Sequence, residues 1–194
     1  LDSDAKIYYT IDGSEPNENS NLYTEPFVIN ESSDVRAVAI KDGKKSNVVE
    51  GNFKKIAAGR TVKIENRYNS QYEAGGDIAL IDFQRGSNNF RVGTWQGYHG
   101  VDLIATVDLS EMQDINRIAG SFLQDQKSWI FMPKQVEFFI SNDGKNFKSI
   151  GVVENHISQE TEEPVMHEFS IDKKFSTRYI KMVAKKIDAC PDWH

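Results

Sequence analysis

The sequence predicts an all-β protein made of two antiparallel β units, residues 1–56 and 57–194. Three observations carry that expectation. Polar and apolar residues alternate, and β-branched or aromatic runs recur along the chain, while helical periodicity is almost absent. Turn signals such as Asp12-Gly13-Ser14, Asp42-Gly43-Lys44 and Asn142-Asp143-Gly144-Lys145 punctuate those runs. The small-residue stretch Ala57-Ala58-Gly59 falls between two strand-rich regions and marks the boundary.

In the first unit, Lys6 to Ile11 reads as a strand that stops at the Asp12-Gly13-Ser14-Glu15-Pro16 turn, followed by a polar loop from Asn17 to Asn21. Pro26 to Ile29, Asp34 to Ile40 and Ser46 to Phe53 are the next three strands. Spacing of this kind suits a small sandwich, though one short of a self-sufficient core. The chain opens Leu1-Asp2-Ser3-Asp4 directly before a strand, so a further strand or two is expected upstream. In the second unit, Val62 to Ile64, Ile78 to Phe83, Val101 to Leu109, Ile115 to Leu123, Gln135 to Ile140, Lys148 to Val153, His167 to Ile171 and Thr177 to Val183 read as strands. Its long loops, above all the glycine- and asparagine-rich 85–100, are where a compact β domain carries binding residues.

Composition excludes several functions. The 194 residues carry a net charge of −6, with 39% hydrophobic and 27% charged residues, an ordinary globular balance without the basic footprint of a nucleic-acid binder. No apolar run approaches the roughly 20 residues of a membrane span. Cys190 is the only cysteine, which excludes an intrachain disulfide and cysteine clusters. Its neighbour in Cys190-Pro191-Asp192-Trp193-His194 is a histidine, but the proline spoils a helical Cys-His pairing. His99, His156 and His167 share no metal-ligand spacing. Glu160, Glu162 and Glu163 read as a solvated acidic loop, and Asn142-Asp143-Gly144 as a hairpin turn without the alternating acids of a calcium loop.

Two stretches carry resemblances. Ile7-Tyr8-Tyr9-Thr10-Ile11-Asp12-Gly13-Ser14-Glu15-Pro16, with Leu22-Tyr23, Pro26-Phe27 and Val35-Arg36-Ala37-Val38-Ala39, resembles the small immunoglobulin-like domain appended to bacterial chitobiases and β-hexosaminidases. Residues 60–194 resemble the discoidin, or factor V/VIII C-type, fold as carried by family 32 carbohydrate-binding modules. The pieces that match are Thr94-Trp95-Gln96-Gly97-Tyr98 with the strand ending Val107-Asp108-Leu109, Val136 to Gly151 around the Asn142-Asp143-Gly144 turn, and Arg178-Tyr179-Ile180-Lys181. The resemblance implies a partial immunoglobulin-like sandwich followed by a discoidin-like β-sandwich or jelly roll. It also implies a sugar site among the loops at one end, and a structural calcium near Asp82 and Thr94. The family's usual last strand, with an acidic residue that helps hold that calcium, has no counterpart before the chain ends at His194.

Sugar recognition needs a flat apolar ring to pack on the C–H face of a pyranose and amide or charged groups to bond its hydroxyls. Gln124, Asp125, Gln126 and Trp129 supply both kinds within six residues. The bland reading has Trp129 plugging the core and the polar residues solvated, and the sequence leaves both open. Arg85, Tyr98 and His99 form a second candidate group, beside Trp95, which reads as core. Trp193 forms a third, either closing the site from the side or fraying at the chain end. No alternation of strands and helices provides the barrel that hexosaminidase chemistry would need. The expectation is a non-catalytic accessory region of a secreted chitobiase- or β-hexosaminidase-like glycoside hydrolase. It would bind N-acetylhexosamine- or galactose-containing glycans as a monomer, at an extracellular, periplasmic or cell-surface location, without nucleic-acid partners or membrane insertion. A protein- or surface-adhesion module and a purely structural spacer are the alternatives.

Overall fold

The computed structural model describes residues 4–56 and 58–191, and the chain divides into two compact units, Leu1–Ile56 and Ala57–His194. Both are built of antiparallel sheet, as expected.

The first unit is one sheet of five strands: β1 (Lys6–Thr10), β2 (Asn21–Leu22), β3 (Ser33–Lys41), β4 (Lys44–Lys45) and β5 (Val49–Phe53). β3 is central and pairs with β1 on one side and with β4 and β5 on the other. Its alternation buries Val38 and Ile40 on one face. Residues 26–29 are not a strand, contrary to the sequence expectation. Pro26 has no N–H for a ladder. The segment attaches through a ring instead, Phe27 stacking on Tyr9 with centroids 4.5 Å apart.

The second unit has the strand order β6-β7-β10-β8-β9, with β6 (Thr61–Ile64), β7 (Leu103–Gln124), β8 (Gln135–Ser141), β9 (Lys148–Glu154) and β10 (Val165–Lys185). Four of the predicted strands merge into two. Val101–Leu109 and Ile115–Leu123 become the 22-residue β7, and 167–171 with 177–183 become the 21-residue β10. Their ladder is interrupted between Asp172 and Phe175 and between Thr177 and Tyr179, where β7 jumps from Gln113 to Asp108 and Ser110 takes a left-handed φ of 72°. Bulges bend a strand and increase its twist. The outer halves therefore form a two-stranded ribbon that returns over the sheet. One core follows, joining Leu103 and Ala105 of the sheet half, Ile118 and Phe169 of the ribbon, and Val136 and Phe138 of β8.

The predicted strand 78–83 is a single 3-10 turn over Asp77–Leu80, entered through Gly75 and Gly76 at positive φ. A short apolar run flanked by glycines does not distinguish a strand from a packed turn. Arg178 fastens the bulge by a two-point bond to Asp108, Nε at 2.9 Å and Nη2 at 3.0 Å.

Candidate functional site

Because the ribbon folds back, its open end returns to the end of the sheet where β7 starts. Four connections meet there: 65–102, 125–134, 155–164 and the segment after Lys185. Hydrogen bonds tie them together. Asn66 donates to the Asp102 carbonyl at 3.0 Å, Lys185 Nζ to the Asp102 carboxylate at 2.8 Å, the Asn155 N–H to the Lys134 carbonyl at 3.0 Å and Lys134 Nζ to Asp188 at 2.6 Å. The bond from Lys185 holds the Asp102 carboxyl below the usual carboxylate range.

Trp129 stands on this end. Asp125 opens a one-turn 3-10 helix over Gln126–Ser128, and its carboxylate accepts from Ser128 Oγ at 2.9 Å. The backbone closes back on itself, Asp125 N–H to the Ile130 carbonyl at 2.9 Å and Ile130 N–H to the Asp125 carbonyl at 3.1 Å. Trp129 ends the turn in left-handed backbone (φ 62°, ψ 30°) and is 57% exposed. A plug would be covered. Trp129 is exposed and does not plug the core. Lys127 reaches across to Glu162 of the 155–164 loop at 3.8 Å.

The neighbouring residues divide. Gln124 is fully buried. Its amide nitrogen donates to the Ser158 carbonyl at 2.7 Å and its amide oxygen accepts from the Met132 N–H at 3.4 Å. This corrects the expectation for Gln124: both ends of the amide are engaged inside the protein, so it braces the loop and offers no group to a sugar. Asp125 is 8% exposed, with its carboxylate turned to the Ser128 hydroxyl within the turn. Gln126 is half-buried at the rim.

Arg85 is exposed, but its guanidinium donates to Glu168 of β10 at 2.9 Å. Arg117 of β7 bonds the same carboxylate, and also Asp172 at 3.2 Å. Tyr98 is half-buried against the core, packs edge-on to Tyr68 at 6.3 Å and donates to Gln96 Oε1 at 2.8 Å. Burial, with Tyr68 and Asp77 nearby, pushes its phenol well above the usual tyrosine range. The expectation for Tyr98 is therefore also corrected, since its hydroxyl is turned inward to Gln96. His99, one residue on, is exposed on the loop leading into β7. Trp95 is half-buried, donating from its indole N–H to the Ser87 carbonyl at 2.8 Å. Trp193 lies outside the described residues.

Of the two residues expected near a calcium, Asp82 accepts the Gln84 N–H at 2.8 Å, and Thr94 Oγ1 is buried with no hydrogen-bond partner. No cluster of three or more His, Cys, Asp or Glu able to hold a metal occurs among the described residues. No helix among them is long and apolar enough to cross a membrane.

Residues 63–193 match the F5/8 type C domain family. The chain belongs to that family. Ahead of the F5/8 type C region, residues 1–53 match the family described as Fn3 associated. Among curated proteins nothing matches. Solved structures similar to the chain include the module CpGH89CBM32-6 of Clostridium perfringens, 19% identical over 68% of this chain and 87% of that one, with a TM-score of 0.43. The C-terminal domain of a chitobiase from Bacteroides fragilis is 18% identical over 71% and 88%, with a TM-score of 0.44. A fucolectin from striped bass (Morone saxatilis) serum is 20% identical over 71% and 45%, with a TM-score of 0.48.

Sequence reasoning missed the brace formed by Gln124 and Ser158 and the Lys127–Glu162 pair, both of which cross between loops some 35 positions apart. No local signal encodes such pairs. It also missed Phe83, placed at the end of a strand that does not form, although Asp82 before it is a turn-forming residue.

Proposed function

We propose that this chain is a non-catalytic carbohydrate-binding region of a secreted chitobiase- or β-hexosaminidase-like glycoside hydrolase. It tethers that enzyme to glycans that contain N-acetylhexosamine or galactose, outside the cytoplasm. The observation that carries this reading is Trp129, an indole 57% exposed on a braced turn at the loop end of an F5/8 type C module. Such a ring packs against the C–H face of a pyranose. His99, Arg85, Gln126 and, beyond the described residues, Trp193 are the polar and aromatic groups proposed around it. A shallow site of this kind binds weakly, and the benefit to the enzyme comes from effective concentration.

The test is a glycan array followed by calorimetry on the wild-type chain and Trp129→Ala. Binding in the wild type and its loss in the variant are expected. Retention of full affinity would sink the site, and an array with no binding would favour a spacer. Turnover of a chromogenic hexosaminide would overturn the non-catalytic reading.

A structural calcium is part of the proposal. Hard cations take hydroxyl, carboxylate and carbonyl oxygens. The orphaned Thr94 hydroxyl, the Asp82 carboxylate and loop carbonyls are the donors that would hold it. Calcium is expected to raise the melting temperature of the wild type over that in chelator and to leave Thr94→Val unmoved. A wild type indifferent to calcium counts against the ion.

A further inference from the structure

Among the described residues of the second unit, two bulky aromatics are held at positive φ, Trp129 and Phe83 (φ 64°). Both are exposed, Trp129 at 57% and Phe83 at 55%. The other described non-glycine residues at positive φ are Asp42, Ala74 and Ser110, all small or polar. A bulky side chain in this region is a genuine outlier that persists only where its surroundings over-determine it, and such positions gather at ligand clamps. Core packing does not explain Phe83, since more than half of it faces solvent.

Two devices fix its loop. Before it, the Asp82 carboxylate accepts the Gln84 N–H at 2.8 Å. After it, Arg85 donates to Glu168 at 2.9 Å, and Glu168 is itself bonded to Arg117. This clasp pins the loop to the ribbon three residues from Val165, the partner of Gln124 in the last pair of the ladder. That is roughly 10 Å along the strand. Trp129 follows Gln124 by five residues. Two exposed rings, each on a braced turn, are thus anchored to one end of one ribbon, through attachment points about 10 Å apart along it.

The geometry points to Phe83 as a second sugar platform, so that the module takes an extended oligosaccharide and not only a terminal monosaccharide. This rests on the proposed sugar-binding role of Trp129.

Calorimetry on the full chain tests it with two probe series, N-acetylglucosamine with its β-1,4-linked dimer, trimer and tetramer, and galactose with its own β-1,4-linked dimer, trimer and tetramer. In the series that binds, affinity is expected to rise about tenfold from monosaccharide to trimer in the wild type. Phe83→Gly removes the ring and tolerates the left-handed backbone, so it keeps the fold. It should abolish the rise and leave monosaccharide affinity within about twofold of wild type. Phe83→Trp should retain the rise. Equal affinity for monosaccharide and trimer, or a rise that survives Phe83→Gly, overturns the second platform and leaves the Trp129 site standing. No binding in either series overturns both. Capture by phosphatidylserine vesicles that depends on Phe83, with no chain-length gain, assigns the ring to a membrane surface and also overturns the inference.

Discussion

Trp129 occupies backbone that costs a non-glycine residue on the order of 1–3 kcal/mol, and the brace beneath it is what sustains that conformation. Gln124 is the central piece of the brace. Truncating it strands the buried Met132 N–H, while the Ser158 carbonyl keeps its bonds from the Thr161 N–H and hydroxyl. Gln124→Ala is therefore expected to destabilise the second unit by about 1–3 kcal/mol, the cost of leaving a buried polar group unsatisfied. It should also weaken glycan binding, although the side chain touches no ligand. Urea denaturation checks the first expectation, as a lower midpoint with an unchanged slope. An unchanged midpoint would mean that water replaces the amide, and that the loop is held by its own backbone bonds.

Where β7 and β10 bend, the Asp108–Arg178 pair ties the strands together, and Ser110 N–H adds a third bond to the same carboxylate at 2.8 Å. The bond from Arg178 is the main reason that the Asp108 carboxyl lies below the usual carboxylate range. A carboxyl with a depressed folded pKa stabilises the fold above its unfolded value of about 3.9. That contribution is lost as pH falls through the lower folded value. Melting temperature should thus stay level from neutral pH down to about 5 and drop below about 4. Asp108→Asn should melt lower at neutral pH and show a shallower acid slope. If its acid slope equals that of the wild type, the pair does not stabilise the bend.

The two units bury very different cores. Among the described residues, the first unit buries the apolar side chains of Pro16, Val38 and Ile40, whereas the second has Phe138, Phe169, Met132, Val136 and others in one cluster. Small units bury a smaller fraction of their surface and are correspondingly marginal. Calorimetric unfolding of the full chain is expected in two transitions, the smaller and cooler one from the first unit. A saturating glycan should raise only the upper transition, since a ligand stabilises the unit that binds it. A single transition, shifted as a whole by ligand, would show the units to be thermodynamically coupled.

The all-β class was legible because alternation and turn chemistry are local: Asp34 to Ile40 reads as a strand from its own residues and is one. So was the candidate loop, since the polar run before Trp129 needs no partner to be noticed. What the sequence did not contain was direction. Gln124, Asp125 and Gln126 are adjacent and chemically alike, yet Gln124 faces inward because Ser158 and Met132 come to meet it. Tyr98 and His99 separate in the same way, one against the core and the other exposed. Merging four strands into two depends on a bulge opposite Arg178, which is a long-range event. By itself, the sequence determined which segments extend and which residue types could meet a sugar. Only the tertiary structure decided which of them reach solvent, because burial is set by what the rest of the chain lays over each residue.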